Sequence, residues 1–219
     1  MRRLKRLPLD QLAGCLLNNP PESARLDWKQ VFGNEHPVEI EVGFGKGLFL
    51  LTEAQRRPEV NFLGIEIERK YQLYAATRLT KRKVANVRLA CADARKFLHF
   101  HVTDRSVQAV HIYFPDPWWK TRHHKRRLFN EDFVAECQRV LTAGGRLHLA
   151  TDVEDYFRIM TTLLHAKTTL VPVETPQPGE PAHDLDYLTN FERKFRKQGK
   201  AIFRALYSKM RNSASNLKS

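Results

Sequence analysis

The residues best suited to chemistry lie together in one stretch: Phe114-Pro115-Asp116-Pro117-Trp118-Trp119-Lys120-Thr121-Arg122-His123-His124-Lys125-Arg126-Arg127-Leu128. One carboxylate sits between two prolines, two indoles follow, and then a run of cations. Proline fixes its own φ and steers the residue before it away from helix, so Phe114 and Asp116 are expected on a stiff, extended backbone. Indole faces stack on flat heterocycles. The cations Lys120, Arg122, Lys125, Arg126 and Arg127 can meet phosphate. A carboxylate, a stacking surface and a phosphate grip together suit a nucleotide base still attached to its polymer. His123 and His124 are adjacent and cannot share a helix face as zinc ligands at i, i+4 would, so no metal site is expected.

A second constellation precedes this one. Glu41-Val42-Gly43-Phe44-Gly45-Lys46-Gly47 joins an apolar run to a helical pattern. Its glycines let the chain turn sharply and let a ligand approach the backbone. Glu66 ends the next apolar run, roughly 20 residues on, where an acidic side chain can accept from ribose hydroxyls. The spacing GxGxG differs from the GxGxxG of dinucleotide sites, and the loop lacks the Lys-Ser/Thr of a P-loop. Both points favour S-adenosylmethionine over NAD. Asp93 follows the third apolar run in Ala90-Cys91-Ala92-Asp93-Ala94. It could accept from an adenine amino group, or serve only to cap a helix beginning at Ala94.

Chain elements able to position these groups alternate along the sequence. Strands are expected at Val38–Val42, Asn61–Ile65, Val87–Cys91, Val107–Phe114 and Arg146–Ala150. Helices are expected at Leu48–Gln55, Arg69–Arg82, Ala94–His99, Asn130–Leu141 and Val153–His165, the fourth closed by Ala143-Gly144-Gly145. Such an order implies an α/β fold: a mostly parallel, twisted sheet with helices on both faces. Thr168–Val173 and Ala201–Tyr207 look like late strands with no full helix between them, able to form an antiparallel edge pair. Between them lie a proline-rich loop and a basic stretch, residues 174–200, expected to serve as a substrate-binding insertion. Residues 1–30 and 210–219 are expected to be mobile.

The chain has 219 residues, enough for a single domain with a full core. Its net charge of +13 favours a polyanionic partner, nucleic acid before membrane. No apolar stretch approaches the roughly 20 residues of a membrane span. Cys15, Cys91 and Cys137 form no CxxC pair, which argues for a reducing, cytoplasmic setting. Leu12-Ala13-Gly14-Cys15 has the form of a lipoprotein cleavage box, but the segment before it is too short and polar for a signal core.

Taken together, these residues resemble the bacterial tRNA (guanine-N7)-methyltransferases, the TrmB-type class I methyltransferases. The resemblance runs from about Trp28 to Tyr207. It rests on Trp28 with Val31-Phe32-Gly33-Asn34, the glycine segment, Gly64-Ile65-Glu66, Asp93, the Phe114–Leu128 stretch, Ala150-Thr151-Asp152 and Thr189-Asn190-Phe191-Glu192. It implies a Rossmann-like fold, S-adenosylmethionine as cofactor with S-adenosylhomocysteine as product, and tRNA as substrate, methylated at N7 of a variable-loop guanine, position 46. By position, Glu41, Gly43, Gly45, Gly47, Glu66 and Asp93 are expected at the cofactor. Asp116 is expected to be the active-site carboxylate, also close to the cofactor. Lys120, Arg122, Arg126, Arg127, Asp152, Thr189, Asn190, Phe191 and Glu192 are expected at the substrate. The chain is expected to act as a monomer or homodimer, with no membrane and no metal. The longer arginine-bearing N-terminal arm of many members is absent from the sequence, leaving only Arg2 to Arg6 for that role. Trp119 occupies a spot that varies in the family.

Guanine N7 carries a lone pair and no hydrogen, so methylating it removes no proton and requires no general base. Asp116 is then expected to orient the guanine and stabilise the shift of positive charge. Asp152 and Thr189 also stand where helices begin, and capping alone would explain both. Two other functions compete. A methyltransferase of an exocyclic base amine would use a related Asp/Asn-Pro-Pro-aromatic loop, but no second proline follows Pro117 here. An inactive RNA-binding subunit should have lost the acids that Glu41, Glu66 and Asp93 retain.

Overall fold

A computed structural model of the chain describes residues 5–118, 127–176, 179 and 187–211. A short helix α1 (Trp28–Phe32) precedes β1 (Val38–Val42), α2 (Leu48–Arg56), β2 (Asn61–Glu66), α3 (Arg69–Lys81), β3 (Val87–Cys91) and α4 (Ala94–His101). Then come β4 (Val107–Tyr113), α5 (Glu131–Val140), β5 (Leu141–Thr151), α6 (Glu154–Lys167), β6 (Val171–Val173), α7 (Asn190–Lys197) and β7 (Phe203–Ser208).

The strands form one sheet in the order β3-β2-β1-β4-β5-β7-β6. Strands β1 to β5 are parallel, and β7 runs antiparallel to both β5 and β6. The expected α/β fold with its antiparallel edge pair is therefore the one observed. Strand order reverses between β1 and β4, so the crevice at their carboxyl ends is the topological switch point where such sheets bind ligands. The glycine turn leaves β1 there, and the proline segment leaves β4 there.

Alternation along the strands builds two cores. Ile40, Val42, Leu63, Ile65, Val110 and Ile112 pack with Phe97, Phe133 and Tyr156 of α4, α5 and α6. On the opposite face Phe62 and Leu89 pack with Leu50 and Leu51 of α2 and Ala75 and Leu79 of α3. That second face also buries a polar rail. Glu39 accepts from both guanidinium nitrogens of Arg57 (2.7 and 2.9 Å) and lies 2.8 Å from His111 Nε2, while His111 Nδ1 lies 2.9 Å from the Tyr113 hydroxyl.

Three local expectations differ from the structure. The N-terminal segment, expected to be mobile through residue 30, is laid against the sheet from Leu7 onward. Leu12 is buried, Leu17 N–H donates to Leu89 O (2.9 Å), Leu89 N–H to Cys15 O (2.8 Å) and Leu26 N–H to His101 O (2.8 Å). It thereby covers the edge of β3, which would otherwise present unpaired backbone groups. Between β6 and β7 the helix start signalled at Thr189 opens α7, which runs on to Lys197 where no full helix was expected. And Ala143-Gly144-Gly145 does not stop a helix: α5 ends at Val140, and the segment runs on within β5, held by Gly144 N–H to Lys209 O (2.8 Å) and Lys209 N–H to Gly145 O (2.9 Å).

Candidate active site

The glycine turn is fastened to β2 and the acid at its end. Gly43 N–H donates to Ile65 O (2.8 Å), Gly45 N–H to Glu66 Oε2 (3.0 Å) and Glu68 N–H to Glu66 Oε1 (3.1 Å). Glu66 is thus fixed in orientation, and its remaining lone pairs stay available as acceptors. Gly43, Gly45 and Gly47 have φ of 76, 51 and 65°. A Cβ at Gly43 or Gly45 would meet nothing within 4 Å, which leaves the loop's surface open to a ligand.

Glu41 lies behind this loop, 3% exposed, and its Oε2 has no hydrogen-bond partner among the described residues. Burial pushes its carboxyl well above the usual carboxylate range, and the neighbouring Glu66 adds to the shift. A buried carboxyl with an unmet oxygen beside a second carboxylate calls for a cation or for donors. S-adenosylmethionine carries an ammonium, a sulfonium and ribose hydroxyls, so these residues fit it.

Asp93 is placed as the cap of α4. It accepts from Arg95 N–H (2.9 Å) and from the Arg95 guanidinium (3.1 and 2.6 Å), and the Arg95 side-chain bond, opposed by burial, holds its carboxyl below the usual range. Capping, one of the two roles its sequence position allowed, is therefore present in the structure.

The proline segment begins with a departure from expectation. Phe114, instead of lying extended before Pro115, has φ of 54°, and Trp118 has φ of 43°. Left-handed backbone at a non-glycine residue costs on the order of 1–3 kcal/mol and persists only where surroundings over-determine it. Here Phe114 N–H donates to Ala150 O (2.7 Å), and the Phe114 ring packs 5.4 Å from that of Phe195 and 6.1 Å from that of Phe191. The far end is held by Arg127, whose Nε donates to Pro117 O (2.8 Å) and whose guanidinium lies 5.8 Å from the Tyr156 ring centroid. Asp116 projects to solvent from this braced loop, with no hydrogen bond to its carboxylate among the described residues. Burial pushes the Tyr156 phenol up to about 12, opposed by the Phe129 backbone and by Arg127 and aided by the nearby Asp116 charge. Lys120, Arg122 and Arg126, expected at phosphate, lie outside the described residues, as does Trp119.

The late residues divide. Thr189 caps α7, accepting from Glu192 N–H (3.0 Å), and Asn190 begins the helix. Glu192, 1% exposed, accepts from Leu188 N–H (3.1 Å) and from Arg204 Nη2 (2.6 Å). Phe191 is 50% exposed and stacks on Phe195 at 6.1 Å, which brings an aromatic face to the Asp116 loop. Asp152 does not cap α6: Val153 N–H bonds Thr151 Oγ1 instead (3.2 Å), and Asp152 faces Lys200 (3.5 Å). Sequence reasoning missed Phe195, although its i, i+4 spacing from Phe191 marks one helix face.

A 3-2-1-4-5-7-6 sheet with its last-but-one strand reversed, a glycine turn after β1 and an acid ending β2 define a class I S-adenosylmethionine-dependent methyltransferase. Solved structures agree on the fold: the 16S rRNA methyltransferase KamB superposes with a TM-score of 0.61 at 13% identity, covering 84% of this chain and 92% of that one. The aminoglycoside resistance methyltransferase NpmB1 gives 0.58 at 16% identity over the same shares. Residues 35–205 match the family described as "Putative methyltransferase". The tRNA (guanine-N(7)-)-methyltransferase of Rhodopirellula baltica is 47% identical over 194 residues, 85% of this chain and 71% of the relative. That of Aliivibrio salmonicida is 38% identical over 178 residues, 81% of this chain and 75% of the relative. The chain belongs to the tRNA (guanine-N7)-methyltransferase family.

Proposed function

We propose that this chain methylates N7 of a variable-loop guanine, position 46, in tRNA. The observation that carries this reading is the meeting, at one switch point of a family member's sheet, of a glycine turn backed by the unmet Glu41 carboxyl and a braced loop presenting Asp116. When bound, S-adenosylmethionine supplies an electrophilic methyl on a sulfonium. Glu66, the Gly43–Gly47 backbone and Glu41 would hold it, with Asp93, at the end of β3, as a further acceptor. Asp116 accepts from the guanine N1–H and 2-amino group, which turns N7 toward the methyl. Orientation of this kind contributes roughly 7–11 kcal/mol in favourable cases. As the ring gains positive charge, the Asp116 carboxylate stabilises it. Arg127, Asp152 and the Thr189–Glu192 turn contribute on the substrate side, Arg127 and Glu192 by holding the loop and α7 in place. Three free thiols, Cys15, Cys91 and Cys137, support a cytoplasmic site of action.

The test is methyl transfer from labelled S-adenosylmethionine to an unmodified tRNA transcript, followed by nucleoside identification. The expected product is 7-methylguanosine, abolished when guanine 46 is replaced. Asp116→Ala should lower kcat by about 10²–10³, the usual scale for removing one preorganised electrostatic group, while cofactor affinity stays near that of the parent. N6-methyladenosine as product, or no thermal shift at saturating S-adenosylmethionine, would refute the reading.

A further inference from the structure

The α3 helix carries a second constellation that the crevice does not use. Tyr71, Tyr74, Arg78 and Arg82 recur at spacings of three and four and so share one face, flanking the buried row of Gln72, Ala75, Ala76 and Leu79. Tyr71, Tyr74 and Arg78 are half-buried and Arg82 is exposed. From Arg69 to Ala92 the sequence contains no acidic residue at all. At the helix start Glu68 pairs with Lys70 (3.1 Å), and beyond that point the face is purely cationic and aromatic.

This face runs into the mouth of the active site. Arg78 Nη1 donates to Lys46 O of the glycine turn (3.4 Å). Arg193 of α7 is close enough to repel the Arg78 charge, as Arg82 is from within α3. Burial, then Arg82 and Arg193, hold the Arg78 guanidinium below the usual arginine range; Tyr74 works against them, and no carboxylate among the described residues contributes. Arg78 and Arg82, on a helix face with no acid between them, create a potential that an anion relieves. The span from Tyr71 to Arg82 is about 16 Å at ~1.5 Å per residue, long enough to follow several phosphates spaced ~3.4 Å along one strand. Half-exposed tyrosines between the cations suit a nucleic-acid backbone better than an acidic peptide.

We infer that the outward face of α3, continued by Lys46 and Arg193, grips the tRNA phosphodiester backbone away from the target nucleotide, so that the tRNA is held at two places. This inference rests on the proposed tRNA substrate. It is tested on the full chain by measuring tRNA affinity against salt concentration and KM and kcat for tRNA, with calorimetric binding of S-adenosylmethionine alongside. Removing one cation from a phosphate reduces the log–log salt slope by about 0.7–0.9. Arg78→Gln with Arg82→Gln should therefore flatten the slope by about 1.4–1.8 and raise KM for tRNA, and Arg82→Gln alone should flatten it by about 0.7–0.9 with kcat at saturating tRNA and cofactor affinity unchanged. Lys29→Gln, a cation of α1 away from this face, should leave the slope as in the parent. Arg82→Glu, at an exposed position, should weaken tRNA binding further without changing the melting temperature, and it carries the test should Arg78→Gln fail to fold. A parent that makes 7-methylguanosine while both α3 variants keep its slope and KM would overturn this inference alone. A parent that binds no tRNA would overturn the substrate reading with it.

Discussion

Gly47 offers the sharpest physical test of the glycine turn. It has φ of 65° and begins α2, where α2 crosses α3 so closely that a Cβ would lie 2.8 Å from Ala75 Cβ. Ala75 is fully buried and has no rotamer to yield, so the two helices would have to part. Gly47→Ala thus meets two costs. Left-handed backbone with a Cβ costs about 1–2 kcal/mol, and overpacking a closed contact costs about 1–3 kcal/mol; their sum is about 2–5 kcal/mol. Gly45→Ala, at φ of 51° with open space around its Cβ, meets only the first. Urea unfolding of both variants gives the difference directly, provided m is unchanged. The double variant Gly47→Ala/Ala75→Gly should recover the steric part, visible as a favourable coupling of about 1–3 kcal/mol in the mutant cycle. Equal destabilisation at Gly45 and Gly47, or no coupling to Ala75, would refute the close approach of α2 to α3 as the reason for glycine.

Arg57→Met removes two charge-assisted bonds from the buried Glu39 and should cost about 3 kcal/mol in urea unfolding, the low end for a broken buried pair because His111 remains bonded. Burial would raise the Glu39 carboxyl, but the bonds from His111 and Arg57 prevail and bring it to about 2, so its contribution is present above the unfolded value of 4.5 and is lost as pH falls toward 2. His148 is brought down to about 3 by burial and by His111; it stays neutral in the fold, so stability is also lost as pH falls from 6.5. His148→Asn should therefore abolish a slope of about 1.4 kcal/mol per pH unit between roughly pH 6.5 and 4.5 in the melting profile. Glu41 has the opposite sign: a carboxyl raised by burial and Glu66 loses stability as pH rises above 4.5, so Glu41→Gln should melt higher than the parent at pH 8 without ligand while binding S-adenosylmethionine more weakly by calorimetry.

The parallel sheet and the glycine turn were legible because their signals are local. Strands buried on both faces read as short apolar runs, and a sharp strand-to-helix turn demands glycine. The docked N-terminus was not legible, since the pairing of Leu16 and Leu17 with Leu89 joins residues more than seventy apart. Nor can sequence separate a cation that meets phosphate from one that clamps a loop: Arg127 belongs to a basic run, yet its Nε is committed to Pro117 O. Glu192 is similar. Its spacing from Thr189 announced a capping box, but its partner Arg204 comes from the next strand, and only that pairing lets a carboxylate lie 1% exposed.

Phe114 shows how the two kinds of information combine. The rule that a residue before proline avoids left-handed and helical backbone is a local steric preference, and a bond to Ala150 with an aromatic contact to Phe195 overrides it. The strain of about 1–3 kcal/mol must be offset by those contacts, and aromatic pairs contribute about 0.5–1.5 kcal/mol each beyond burial. Phe114 makes two such contacts, both to α7. The helix that reads in sequence as a solvated basic stretch therefore joins Ala150 and Arg127 in holding the Asp116 loop in shape. Its capping by Thr189 and the burial of Glu192 then matter to the active site through Phe195, without either residue having to touch the substrate.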